Sequence, residues 1–270
     1  MSSSPAAAAT GADELSVVVR DRVAYVTIDR PARRNALSID VHRRLVETFV
    51  ALDEDDDVWA IVLTGSGERS FCSGADLREM EENQRLRGTG PRRPMRSPGR
   101  DLHEVVFETT KPTVAVLNGP ALGAGFELAL ACDLRVAAEH AWVSLPEAKR
   151  GLGSNFGSVM LPRLLPRAVA LELLYLGDPL SAQDALRWGL FNRVVPSDEL
   201  EATAEGLVRA LVANAPLSIR RFKSVATKAW SLPVAAALRL DPRPDTYDSE
   251  DRVEGVRAFD EGRAPRWAAR

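Results

Sequence analysis

Two apolar runs, residues 58–63 (VWAIVL) and 112–117 (PTVAVL), constrain this chain more than any other feature. Each has the length of a strand and shows little alternation with polar residues, so each is expected in a sheet covered on both faces. Each also leads through small residues towards a helix. The first exits into Thr64-Gly65-Ser66-Gly67 and then Phe71-Cys72-Ser73-Gly74-Ala75-Asp76, and the second into Asn118-Gly119-Pro120 and Ala121-Leu122-Gly123-Ala124-Gly125. Strand, turn and helix repeat up to about residue 145, after which the pattern is helical. The fold class this implies is α/β with a helical C-terminal part.

Other elements follow the same logic. Residues 16–20 and 23–28 flank Asp21-Arg22 and read as a hairpin. Ser38 is placed to cap an amphipathic helix reaching about Asp53. A helix is expected over 101–109, strands over 134–138 and 142–143, and helices over 157–165, 167–176, 181–189, 197–213 and 216–230. Asp241-Pro242-Arg243-Pro244 breaks the chain before a last helix over about 249–259. The organisation expected is a Ser/Ala-rich disordered tail over 1–14, an α/β core over 15–200 and a helical region over 201–270. Residues 84–100, rich in Arg, Pro and Gly, read as a loop. Arg85, Arg87, Arg92, Arg93, Arg96 and Arg100 make it either a solvated segment or a lid whose guanidinium groups meet phosphates or an acidic chain.

Composition removes several classes of function. A net charge of -3 gives no reason to expect a nucleic-acid surface. No apolar run approaches the roughly 20 residues that span a bilayer, and the N-terminus lacks the basic start and apolar core of a signal peptide. Cys72 and Cys132 make neither a disulfide framework nor a zinc spacing, and His42, His103 and His140 are scattered. Both cysteines read as small buried residues and His103 as a surface histidine. The expectation is a cytoplasmic bacterial enzyme without a bound metal.

Two carboxylates stand out. Glu127 lies in Gly125-Phe126-Glu127-Leu128-Ala129, with no basic residue nearer in sequence than Lys111 or Arg135. Burial in such company would push a carboxyl upward, towards the range where it exchanges protons at neutral pH. Glu147 follows Pro146 twenty positions later. From the residues alone, Glu127 is either an acid/base group or a helix-start carboxylate satisfied by free N–H groups. Glu147 is either its partner or a plain loop carboxylate. The turns at Ser73-Gly74-Ala75-Asp76 and Leu122-Gly123-Ala124-Gly125 are of one kind: small side chains before a helix start, where main-chain N–H donors are unsatisfied. Two such donors that converge form an oxyanion hole.

Taken together, these segments resemble the crotonase (enoyl-CoA hydratase/isomerase) superfamily. The resemblance is carried by Arg30-Pro31 with Asn35-Ala36-Leu37-Ser38, Phe71 through Leu77, Lys111-Pro112 through Asp133, Pro146-Glu147, Gly151-Leu152 and Gly177-Asp178, and it spans about residues 15–267. It implies repeated ββα units in a spiral core, with C-terminal helices that mediate assembly into a homotrimer or a dimer of trimers. It implies an acyl-CoA substrate whose thioester oxygen is held by the N–H groups of Ala75 and Ala124, and Glu127 and Glu147 as the catalytic pair of a hydratase. Coenzyme A would be part of the substrate, with no separate cofactor. Arg33, Ser73, Gly74, Ala75, Asp76, Leu77, Gly123 and Phe259 would lie along the substrate, Asp76 mainly as a helix cap. Phe259 and Arg263 on the last helix would cover a neighbouring subunit's site. Retention of both glutamates favours water addition to a 2-enoyl thioester or the reverse; double-bond isomerisation is the alternative.

The chain departs from that pattern after Glu147. The family's Gly-x-x-Pro followed by a Gly-Gly pair is replaced by Gly151-Leu152-Gly153-Ser154-Asn155-Phe156-Gly157-Ser158, without the proline or the second glycine. A reshaped acyl end, with Phe156 as a wall, is the expectation.

Overall fold

The computed structural model describes residues 14–87 and 99–270. A hairpin of β1 (Leu15–Arg20) and β2 (Val23–Ile28) opens the fold, followed by α1 (Ile39–Glu54) and β3 (Ala60–Gly65). Next come α2 (Leu77–Arg87), α3 (Leu102–Glu108), β4 (Thr113–Leu117), β5 (Ala121–Leu122), α4 (Ala124–Ala131), β6 (Leu134–Ala138) and β7 (Trp142–Ser144). After a 3-10 turn at Pro146–Arg150 the chain forms α5 (Phe156–Leu164), α6 (Arg167–Leu176), β8 (Leu180–Ser181), α7 (Ala182–Arg187) and β9 (Arg193–Val195). Four helices end it: α8 (Leu200–Val212), α9 (Pro216–Ala229), α10 (Val234–Ala237) and α11 (Glu250–Asp260).

The main sheet has the order β1-β2-β3-β4-β6-β9, parallel throughout except for the β1–β2 hairpin. Its strands explain the unbroken apolar runs. Ile61, Leu63, Ala115 and Leu117 point into the larger core with Phe49 of α1, Val106 of α3 and Leu128 of α4. Val62, Val114, Val116 and Val136 point the other way, into a second core closed by Leu200, Ala204 and Val208 of α8. A strand covered on both sides has no polar positions to spare. A smaller sheet, β5-β7-β8, stands beside the main one and carries the turns that bear the two glutamates.

Caps fix the helices where the sequence places them. The Ser38 hydroxyl accepts from the Val41 N–H at the start of α1. Asp101 and Glu104 form a reciprocal capping box on α3. Several boundaries differ from expectation. β3 starts at Ala60 and runs to Gly65, and α8 starts at Leu200 after a 3-10 turn at Ser197–Glu199. The short strands β8 and β9 interrupt the part expected to be helical, and Gln84 to Arg87 continue α2 rather than opening a loop. Leu77 to Arg87 is dominated by straight-chain residues that lose little rotamer freedom in a helix. Arg92, Arg93 and Arg96 lie outside the described residues; of the others, Arg85 is exposed and Arg100 pairs with Glu108 at 2.9 Å.

Candidate active site

The turns after β3 and β4 are laced together. Phe71 N–H donates to the Pro120 carbonyl and Leu122 N–H to the Cys72 carbonyl, both at 3.0 Å. Gly74 makes the closest approach. Its φ is +87°, and a Cβ there would stand 2.7 Å from the Leu122 carbonyl oxygen and 3.3 Å from the Ala124 nitrogen. No L side chain is accommodated there. The first turn is held from behind by Arg30, which reaches the Ala36 carbonyl at 2.6 Å and Asp76 at 3.1 Å. Asn35, which is buried, donates to the Ser70 carbonyl at 2.7 Å. The resembling motif at 30–38 is thus a bracket for the turn at 73–76.

Two main-chain donors emerge from this lacing. Leu37 N–H donates to the Gly74 carbonyl at 2.8 Å and Asp76 N–H to the Leu37 carbonyl at 3.0 Å. The Ala75 N–H between them has no acceptor among the described residues, and Ala75 is exposed. Ala124 opens α4, and its N–H likewise has no acceptor there. Both sit at helix starts, where the dipole favours negative charge.

The glutamates flank the second turn. Glu127 lies in the first turn of α4, a helix buried along almost its whole length. Its side chain is buried, and Oε1 accepts from the Ser154 hydroxyl at 2.5 Å and from the Gly157 N–H at 2.8 Å. The charge that looks unpartnered in the sequence is therefore received by the N-terminus of α5. Glu147, in the 3-10 turn after β7, is half-buried. Its Oε1 lies 2.9 Å from where a Cβ on Gly123 would stand, and its Oε2 is buried without a hydrogen-bond partner among the described residues. Burial raises the Glu147 carboxyl above its ordinary 4.5, and the nearby Glu127 charge adds to this.

The remaining expected site residues divide into groups. Ser73 adjoins Arg33, whose carbonyl accepts from the Ser73 hydroxyl at 3.4 Å, and both Arg33 and Leu77 are exposed at the rim. Asp76 is buried and structural; besides Arg30 it caps α2 at the Glu79 N–H, 3.4 Å away. Phe259 is not joined to the cluster by any hydrogen bond or ring contact among the described residues; its ring on α11 is 86% exposed. Arg263 is engaged by Glu254 at 2.6 Å and by Glu261 at 2.5 Å. Cys72 and Cys132 are buried, and burial pushes both thiols up to about 12, where no reactive thiolate forms at neutral pH. Among the described residues no cluster of His, Cys, Asp or Glu is arranged to hold a metal, and no helix is long and apolar enough to cross a membrane.

One expectation is corrected. His103 is buried rather than at the surface, because α3 packs between α1 and α4. Phe156 is part of the core, stacked on His103 at 5.8 Å and edge-on to Phe107 at 5.9 Å. Ser154 and Gly157, which hold Glu127, escaped sequence reasoning; the one signal for them was the departure from the family pattern in that loop.

Comparison with known proteins identifies the family. The sequence pattern of the family described as enoyl-CoA hydratase/isomerase matches residues 19–270. The chain belongs to the enoyl-CoA hydratase/isomerase family. A carnitinyl-CoA dehydratase from Salmonella typhi is 38% identical over 252 residues, covering 91% of this chain and 94% of the relative. The crystal structure of an enoyl-CoA hydratase from Bacillus anthracis superposes with a TM-score of 0.85 at 31% identity, covering 96% of this chain and 100% of that one. An enoyl-CoA hydratase from Mycobacterium marinum gives 0.84 at 34% identity, with 95% and 99% covered. The α/β architecture is accordingly that of the crotonase fold, and the chemistry for which these family members are named is acyl-CoA hydration and dehydration.

Proposed function

We propose that the protein hydrates a 2-enoyl-CoA thioester, or dehydrates the corresponding 3-hydroxyacyl-CoA. The observation that carries this reading is the convergence of Glu127 and Glu147 on the Gly123–Ala124 turn, beside two unengaged N–H groups. Conjugate addition of water places negative charge on the thioester oxygen. The Ala75 and Ala124 donors face that charge as it develops, and a single such donor is worth about 2.7–4 kcal/mol. Glu127, fixed through one oxygen, orients the water and takes its proton with the other. Glu147, whose protonated form burial favours, delivers a proton to the α-carbon.

Arg33, Ser73 and Leu77 are read as the rim along which the CoA moiety lies. The exposed Val253, Val256 and Phe259 of α11 are read as the face on which copies of the chain meet as a homotrimer or a dimer of trimers. The test is direct. Incubated with a panel of trans-2-enoyl-CoA thioesters, the protein should remove the enone absorbance of at least one and yield the 3-hydroxyacyl product. Deuterium exchange with no net water addition would point instead to double-bond isomerisation.

Glu147 also carries a prediction about stability. Its folded pKa is raised, so its favourable contribution is fully present below the ordinary 4.5 and is lost as pH rises through the folded value. At pH 8 the buried charge is a net cost. Glu147→Gln should therefore raise Tm at pH 8, and the gain should shrink towards pH 4. A gain independent of pH would contradict the assignment.

A further inference from the structure

His103 has no part in the mechanism above, yet it is buried at the edge of the site and both ring nitrogens are engaged. Nδ1 lies 2.8 Å from Asp101 Oδ1, and Nε2 lies 3.0 Å from the Ala124 carbonyl oxygen. A carbonyl oxygen can only accept, so Nε2 carries a hydrogen. An ionised carboxylate can only accept too, so Nδ1 carries one as well. Asp101 is also the N-cap of α3, its Oδ1 accepting the His103 main-chain N–H at 3.4 Å, a place that favours the ionised carboxylate. A ring that donates from both nitrogens is an imidazolium.

We propose that His103 is held as a buried imidazolium and serves as a positioning residue for the oxyanion turn, through the carbonyl of Ala124, and as counter-charge to Glu127. The Ala124 carbonyl and the Ala124 N–H flank one Cα. A charged donor on the carbonyl ties the first turn of α4, which begins with the Ala124 N–H, to α3. The same positive charge sits beside the first turn of α4, the turn that carries Glu127.

The groups that face the ring account for its state. On α3 Asp101 is its partner; from α1, His42 Nε2 stands 3.8 Å from the other Asp101 oxygen; from α4 comes Glu127. From α5 the apolar ring of Phe156 stacks on it at 5.8 Å. Burial opposes the charged ring, but Asp101, Glu127 and the Ala124 carbonyl together lift it above its ordinary 6.5. A phenyl ring offers no acceptor or donor to compete for either nitrogen.

The positioning role rests on the hydratase reading; the protonation state does not. The test therefore has two arms on the full chain. With ¹⁵N-labelled histidine, the His103 signal is assigned by its persistence in His42→Gln and His140→Gln. It should show protons on both ring nitrogens at pH 7.5, and in Asp101→Asn it should lose one at lower pH than in the wild type. In the second arm, His103→Gln and Asp101→Asn should each lower kcat about 10- to 100-fold, with KM within about threefold, because a small misplacement at a catalytic donor is costly. One bare ring nitrogen at pH 7.5, or kcat within threefold of wild type in whichever of these variants folds, overturns the proposal. Failure of the glutamate substitutions to slow turnover would instead sink the hydratase reading and leave the labelled-histidine result standing.

Discussion

Glu127→Gln should lower kcat for hydration by about 10²–10⁴-fold, the range of a positioned general base, with little change in KM. The glutamine oxygen can still accept from Ser154 and Gly157, so the side chain keeps its place. What is lost is the second oxygen, replaced by an NH₂ group that cannot take a proton from water. Glu147→Gln should cost a similar factor through loss of the proton delivered to the α-carbon. The double variant should be little slower than either single one, because the two groups act as a unit. Rates within a few-fold of wild type in both single variants would show that the carboxyls are not the acid and base.

The second large effect concerns a donor that no side-chain substitution can delete. Ala124→Pro removes the N–H itself. Proline is ordinarily ruinous within a helix, but Ala124 is the first residue of α4, where the N–H has no helical partner and the fixed φ of proline suits the helix. The preceding Gly123 has no Cβ to meet the ring, and its ψ of -129° lies away from the helical values that a following proline disfavours. The fold should survive, as judged by circular dichroism and Tm. Turnover should fall at least about 10²–10³-fold, the cost of one oxyanion donor. The ring also occupies the space in front of that donor, so KM should rise. A folded variant with normal turnover would remove Ala124 from the mechanism.

How far such sites can be read from sequence differs from residue to residue. The strands at 58–63 and 112–117 were legible because a strand buried on both faces must be apolar along its length, and the two cores bear this out. The glutamates were legible because a carboxylate among alanines and leucines is out of place. Their partners were not. Ser154 and Gly157 lie 27 and 30 residues beyond Glu127, and nothing in Gly153-Ser154-Asn155 announces what it faces. His103 follows a capping aspartate and precedes a glutamate, which locally describes a solvated helix start. Its burial comes from α1 and α4, elements brought to it by the sheet, and only tertiary packing turns Asp101 from a cap into a charge partner.

The loop between the 3-10 turn and α5 touches both carboxylate-bearing segments. Leu152 N–H donates to the Glu147 carbonyl at 3.0 Å, and the Ser154 hydroxyl holds the Glu127 side chain. The Ala75 and Ala124 N–H groups, proposed as the oxyanion donors, are set by the lacing of the β3 and β4 turns, to which this loop contributes no main-chain bond among the described residues. Ala124 and Glu127 share α4, but the Glu127 carboxylate takes its aim from Ser154 and Gly157. A change in the length of the 151–155 segment is therefore expected to re-aim the carboxylates more than the main-chain donors.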